Sequence, residues 1–235
     1  MYLGNYFTVP ARANLPGQKS TGGGAPFEYT AIDNSFSMLF DRSGDTRYDL
    51  GSFAQDVLAN ETAATISTWY KVNTSNNQVL VDFYDATPRS RFAIQVYINS
   101  GIYVYVNDKS YNIPNVTTGG NWHHVAAVFD GSGATDADKL KIYLDGSNIT
   151  GGGYTTPIPT ALGAFASNPS SLIGDSTSFT ANFDGYIDEM AIWTAALSEE
   201  TIQAIYDTTA NNTGKVADLS ETPEGAPTAW YRMGD

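Results

Sequence analysis

From Asn121 to Gly146 the chain reads NWHHVAAVFDGSGATDADKLKIYLDG, with alternating patterns on either side of a polar break. His123, Val125, Ala127 and Phe129 share one face of the first half, and Trp122, His124, Ala126 and Val128 share the other. In the second half Leu140, Ile142 and Leu144 alternate with Lys139, Lys141, Tyr143 and Asp145, the period of two of a half-buried strand. GSGATDAD between them has the composition of a turn, so the stretch predicts a β-hairpin with a long connection. The same period recurs from Ala64 to Val72 and from Val79 to Tyr84. RFAIQVYINSGIYVYVND predicts a tight hairpin turning at Asn99, Ser100 and Gly101. Phe92, Ile94, Val96 and Ile98 line one face of its first arm, and Ile102, Val104 and Val106 one face of the second. Evenly spaced strands with turn signals between them predict a sandwich of two antiparallel sheets. One short helix is predicted after Leu197: Ser198 is its N-cap, Glu199 and Glu200 lie in its first turn, Leu197 meets Ile202, and it ends near Asp207 or Thr208.

These segments also resemble a known family. W-H-H-V-A-A-V-F-D-G, a variable loop and L-K-I-Y-L-D-G are similar to the core signature of laminin-G-like jelly-roll domains in the concanavalin A-like lectin/glucanase superfamily. FSMLFDRSGDTRYDLG (Phe36 to Gly51) resembles the opening strand, and ATISTWYKV (Ala64 to Val72) a following one. The stretch from Ser171 to Asp207, with F-x-G-x-I-D-E, resembles the closing segment, so the likeness covers roughly residues 35 to 207. It implies an all-β fold: a two-sheet antiparallel jelly-roll β-sandwich with one short C-terminal helix. Residues 1–27 are then an N-terminal flexible or partner-bound arm, 28–210 the jelly-roll domain, and 211–235 a linker and terminal strand. The closing W-Y-R-M-G-D resembles the segment that follows such domains in tailed-phage structural proteins.

Composition narrows the partners. The 235 residues carry 12 Lys and Arg against 25 Asp and Glu, a net charge of −13 that repels nucleic acid and anionic membranes. No cysteine is present, so the core, with or without a metal ion, holds the domain together. No apolar run is long enough to cross a bilayer, and the N-terminus shows no secretory signal. With the resemblance, these features point to a virion surface component (decoration, fibre or appendage), with an extracellular module as the alternative. Partners are then other virion proteins, glycans and further copies of the chain in a homo-oligomer.

Four kinds of chemistry are worth weighing. Tyr97, Tyr103 and Tyr105, with Gln95, Asn99 and Asn107 on the same parity, collect on one sheet face. Aromatic rings edged by amides suit the apolar face and hydroxyl rim of a sugar, so Tyr97, Tyr103, Tyr105 and Asn107 are the candidate carbohydrate contacts. Coverage of this face by other parts of the structure is the competing reading. Asp188 is expected on the core face with Met190 and Ile192, where its charge needs backbone N–H groups or a hard cation. The resemblance implies a structural Ca²⁺ there, with Asp41 or Asp45 nearby. For glycoside hydrolysis the E-x-D-x-E arrangement of the glucanase relatives is missing, and Asp184, Asp188 and Glu189 are the nearest acids, so binding without catalysis is expected. His123 and His124 are expected to be satisfied structural residues, one facing the core and one facing solvent.

Overall fold

The computed structural model describes residues 27–44, 46–74, 77–87, 89–97, 101–114, 120–151, 153, 157–179 and 181–233. In chain order the strands begin with β1 (Ala31–Asp33), β2 (Met38–Phe40), β3 (Tyr48–Asp49), β4 (Ala63–Val72) and β5 (Asn77–Ala86). They continue with β6 (Arg89–Tyr97), β7 (Gly101–Val106), β8 (Lys109–Pro114), β9 (Trp122–Asp130) and β10 (Leu140–Leu144). The last are β11 (Ser147–Asn148), β12 (Ser170–Ile173), β13 (Gly185–Trp193), β14 (Lys215–Ala217) and β15 (Ala229–Tyr231). Two α-helices interrupt them, α1 (Asp136–Lys139) and α2 (Glu199–Asn211).

Every pairing among these strands is antiparallel. A six-stranded sheet runs β3-β12-β5-β6-β7-β8, and a seven-stranded sheet runs β11-β10-β9-β4-β13-β15, with β2 also pairing with β13. The expected jelly-roll sandwich is therefore the architecture found. Between the sheets the alternating rows meet: Phe83, Phe92, Ile94, Val104 and Val106 from one, Ile66, Val125, Ala127, Phe129 and Ile142 from the other, all inaccessible to water. Burying each such side chain is worth about 1.5 to 3 kcal/mol before chain entropy is counted, so this layer dominates stability. Two turns show how local chemistry sets the register. Asp145 and Gly146 both adopt positive φ, the two-residue hairpin turn that joins β10 to β11. Gly101 (φ 129°) opens β7 where a Cβ would lie 1.8 Å from the Ile113 carbonyl oxygen. The expected turn around it falls partly on 98–100, outside the described residues.

The structure departs from the sequence reading in three places, each for a packing reason. First, the outer face of the seven-stranded sheet is dry. Ala126, Val128, Tyr143, Ala191 and Trp193 pack against Leu197, Ile202 and Ile205 at the start and along the inner face of α2. Trp69 stacks on Tyr206 at 5.5 Å. α2 has the predicted Ser198 cap, whose hydroxyl accepts from the Thr201 N–H, but it runs to Asn211, past the predicted end. Second, the two histidines point to opposite faces of β9 as expected, but the outward one meets α2 rather than water. His123 lies at the sandwich rim with Nδ1 2.8 Å from Asp145, while His124 is fully buried beneath α2. His124 Nε2 meets the Ser67 hydroxyl at 2.7 Å, but Nδ1 has no partner among the described residues, so this histidine is not fully satisfied. Third, a bulge between Asp188 and Ala191 breaks the alternation of β13. Glu189 takes φ 50° there, so Ile187, Met190 and Ile192 face the sandwich core while Asp188 turns away from it, opposite to the expected set.

The C-terminal stretch expected as a linker is packed as well. β14 pairs with β1, and β15 pairs with β13 inside the domain (Met190 with Tyr231, Ala191 with Trp230). Among the described residues no helix is long and apolar enough to cross a membrane.

Candidate functional site

The six-stranded sheet turns its alternate residues outward, and strand register decides which of them meet. Gln95, Tyr103 and Asn112 stand side by side across β6, β7 and β8. In the neighbouring row Asp49, Leu172, Asp82, Ala93, Tyr105 and Ser110 follow one another across all the strands of the sheet. The structure therefore does bring Tyr97, Tyr103 and Tyr105 together. The Tyr97 and Tyr103 rings lie 4.4 Å apart, and both the Tyr97 and Tyr105 hydroxyls donate to Gln95 Oε1, at 2.9 and 3.3 Å. Burial, with Tyr97 next to it, pushes the Tyr105 phenol up to about 12. All three rings are half-buried, so part of each faces outward.

Beneath the rings two amide atoms go unanswered. Gln95 is 1% exposed, and its Nε2 has no partner among the described residues. Turning the amide over would leave its oxygen in the same position, so one end stays unmet either way. Asn112 donates to the Tyr103 hydroxyl at 2.8 Å, while its own Oδ1 is buried with no partner among the described residues. Buried polar atoms without partners cost about 1 to 3 kcal/mol each, so native proteins rarely keep them without a reason.

Asn107 is not part of this group. It sits at φ 54° in the turn between β7 and β8, and its side chain holds the backbone of Ala161 and Gly163 at 3.1 and 2.8 Å. Asn112 takes the place expected for it, and only the pairing of β8 with β7 reveals that. Asn99 lies outside the described residues.

Sequence reasoning also missed the centre of the face. Arg91 grips Asp82 through two bonds of 2.8 Å, with Asp82 fully buried and Arg91 7% exposed. Its guanidinium lies over the rings of Phe179 (4.1 Å), Tyr84 (4.5 Å) and Tyr105 (5.1 Å). Ser176 donates to Asp82, and Ser178 takes a bond from Arg91, so residues 175–179 are tied down over the sheet. The parity of Arg91 with Gln95 and Tyr97 was visible in RFAIQVY. The approach of Phe179, far away in sequence, was not. Beyond that loop, at the β3–β12 edge, lies a cleft of about 590 Å³.

The acids considered for metal and for catalysis lie elsewhere. Asp188 accepts from Asn34 Nδ2 at 3.0 Å and from the Glu189 N–H at 2.8 Å. Glu189 accepts from Trp230 Nε1 at 2.6 Å, Asn34 at 2.8 Å and Arg232 at 3.4 Å, so the closing segment holds Glu189 and Asn34 bridges the two carboxylates. Asp41 is exposed, its carboxyl held below the usual range by the Ser43 hydroxyl and N–H. In the β2–β13 register Asp41 continues past the Phe40–Gly185 pair, away from Asp188. Four residues along a strand separate the two positions by about 13 Å, too far for one Ca²⁺ shell. Asp45 is outside the described residues, and among those described no cluster of three His, Cys, Asp or Glu side chains could hold a metal ion.

Two facing antiparallel sheets with jelly-roll pairing and an outward aromatic face define a lectin-like sandwich. The chain belongs to the concanavalin A-like lectin/glucanases superfamily, whose laminin G type model matches residues 42–203. Solved structures share the fold at low identity. A heptameric SAP-like pentraxin from Limulus polyphemus is 14% identical with a TM-score of 0.50, covering 72% of this chain and 81% of that one. The CBM40 domain of a Ruminococcus gnavus sialidase, bound to α2,3-sialyllactose, is 18% identical with a TM-score of 0.52, covering 78% and 100%. Domain 4 of an extracellular arabinanase from Geobacillus stearothermophilus, in complex with arabinotriose, is 18% identical with a TM-score of 0.51, covering 88% and 89%. No curated protein matches the sequence.

Proposed function

We propose that this protein is a non-catalytic, carbohydrate-binding module that takes its ligand on the outer face of the six-stranded sheet, at Tyr97, Tyr103 and Tyr105. The observation that carries this reading is the cluster of three half-buried tyrosine rings on that outward face, with Tyr97 and Tyr103 4.4 Å apart. A sugar offers an apolar C–H face to the rings and hydroxyls that both donate and accept at the phenol oxygens. Neighbours of the same fold with sialyllactose or arabinotriose bound agree with binding as the role. The narrower proposal places the module on a phage particle, attached to other virion proteins and repeated as a homo-oligomer. It rests on the cysteine-free composition and the W-Y-R-M-G-D resemblance, and detecting the chain by mass spectrometry in purified particles tests it.

A glycan array tests the binding reading directly. The wild type is expected to bind at least one glycan without consuming it, and Tyr103→Ala and Tyr105→Ala should each weaken that binding at least tenfold while staying folded. Wild-type binding that survives both substitutions would move the site elsewhere, and release of shortened sugars would make the protein an enzyme.

A further inference from the structure

Along one side of the sandwich the end strands of the two sheets come together. β3 ends the six-stranded sheet, and β15 lies at the end of the seven-stranded one. Tyr48 of β3, 44% exposed, has its ring 5.9 Å from that of Tyr231 in β15. Tyr48 pairs with the core residue Ile173, so Tyr48 and Leu50 both turn toward the gap between the sheets. Leu50 and Tyr231 are half-buried at the margin of the core.

The backbone at this edge is also open. Leu50 donates to the Ser171 carbonyl at 2.8 Å, so Leu50 and Tyr48 direct their backbone groups to β12. By alternation the exposed Asp49 between them aims its N–H and C=O away from the sheet. Outward backbone groups beside a half-exposed aromatic ring are a template for one more strand. The local charge is negative. Asp49 and Asp56 are exposed and accept from the Gly51 N–H and the Ser52 hydroxyl rather than from cations, while Arg47 lies 3.4 Å from Asp175.

One segment outside the described residues has the complementary pattern. Residues 1–26 hold Arg12 and Lys19 and no Asp or Glu, a charge of +2, whereas the remainder holds 10 Lys and Arg against 25 Asp and Glu, −15. Within that segment YLGNYFTVP has the composition of a strand, with Leu3, Phe7 and Val9 on one parity and Tyr2 and Tyr6 on the other. Pro10, with no N–H to give a ladder, ends the run. The 17 residues between Val9 and Phe27 extend to about 56 Å. A ten-residue strand, the longest here, measures about 33 Å, so the tether reaches this edge of its own sandwich. It also holds the segment at roughly millimolar effective concentration, ahead of a second copy that a chain of −13 repels.

We infer that residues 2–9 dock on β3 of their own chain as an added edge strand, with Leu3, Phe7 and Val9 against Tyr48, Leu50 and Tyr231. Arg12, three residues on, meets the acids of the edge. The docked strand covers a ladder at which another chain would otherwise pair.

Hydrogen exchange of the full-length protein, read amide by amide by NMR, tests this. The amides of residues 3–9 and of Asp49 should exchange about tenfold or more slower than in an unstructured peptide of the same sequence. The double variant Leu3→Asp, Phe7→Asp should return both to the peptide rate, with exchange in β4 and β9 unchanged as the sign of an intact sandwich. Arg12→Glu should speed both about threefold at low ionic strength and do nothing at about 1 M salt. Peptide-like rates for residues 3–9 in the wild type overturn the inference, as does an Asp49 amide indifferent to the double variant. Protection that falls on dilution, with a dimer seen by light scattering, overturns docking within the chain. An Arg12→Glu effect that is the same at both salt concentrations, or absent at both, overturns the electrostatic part.

Discussion

On the seven-stranded sheet the outward residues Ala126, Val128, Tyr143, Ala191 and Trp193 lie under α2 and the C-terminal segment. On the six-stranded sheet the outward residues include Asp82, Arg91, Gln95, Tyr103 and Tyr105, and a loop tied by Ser176 and Ser178 lies against part of them. The two faces come from equally regular strands, so geometry does not separate them. Chemistry does. An outward row of Ala, Val and Trp gains from any apolar cover, and an amphipathic helix supplies it at about 1.5 to 3 kcal/mol per buried large side chain. A row of amides, phenols and ions would lose hydrogen bonds under the same cover, which costs more than the area returns. Its ions and amides are instead covered by partners that bond them, the 175–179 loop and the tyrosine rings, and those rings keep part of their surface exposed.

The contrast can be broken from either side. The largest loss should come from the six-stranded face itself: Asp82→Asn removes one partner of a buried ion pair and leaves Arg91 uncompensated, costing about 3 to 5 kcal/mol. Chemical denaturation would show it as a fall in midpoint, and an unchanged midpoint would mean the pair is solvated in solution. Next comes the covered face. Ile202→Ala leaves a hole between α2 and the sheet and should cost about 3 to 4 kcal/mol without altering glycan binding. Tyr103→Ala, half-exposed, should show the reverse: little change in melting temperature and lost binding.

The third effect is acid sensitivity, and it belongs to the covered face. Burial lowers the His124 pKa from 6.5 to about 4, with Asp145 pulling weakly the other way. The unfolded chain takes up this proton more readily, so the contribution is complete above pH 6.5 and declines as pH falls toward 4, with no further change from this group below that. The shift corresponds to roughly 3 kcal/mol or less. Melting curves between pH 7 and pH 4 should steepen in the wild type and flatten in His124→Gln. Equal slopes in both would show that His124 is not the group responsible.

Much of this protein was readable along the chain. The alternation around Val125 and Ile142 and the Ser198 cap are local patterns, each fixed by a steric or hydrogen-bonding preference within a few residues. The grouping of Tyr97, Tyr103 and Tyr105 was readable for the same reason, since a tight hairpin carries its own register. Other features depended on pairings between distant segments. Whether the Trp122 and Ala126 face met water depended on α2 folding back across it, some seventy residues later in the chain. The direction of Asp188 depended on one extra residue in β13, which period counting cannot detect. Asn112 replaced Asn107 because β8 pairs with β7 in one register, and Arg91 found Asp82, Tyr84 and Phe179 because β5 and the 175–179 loop converge on β6. Alternation states which residues share a face; what covers that face, and which rows line up across it, is decided only when the sheets close and polar and apolar rows compete for the available cover.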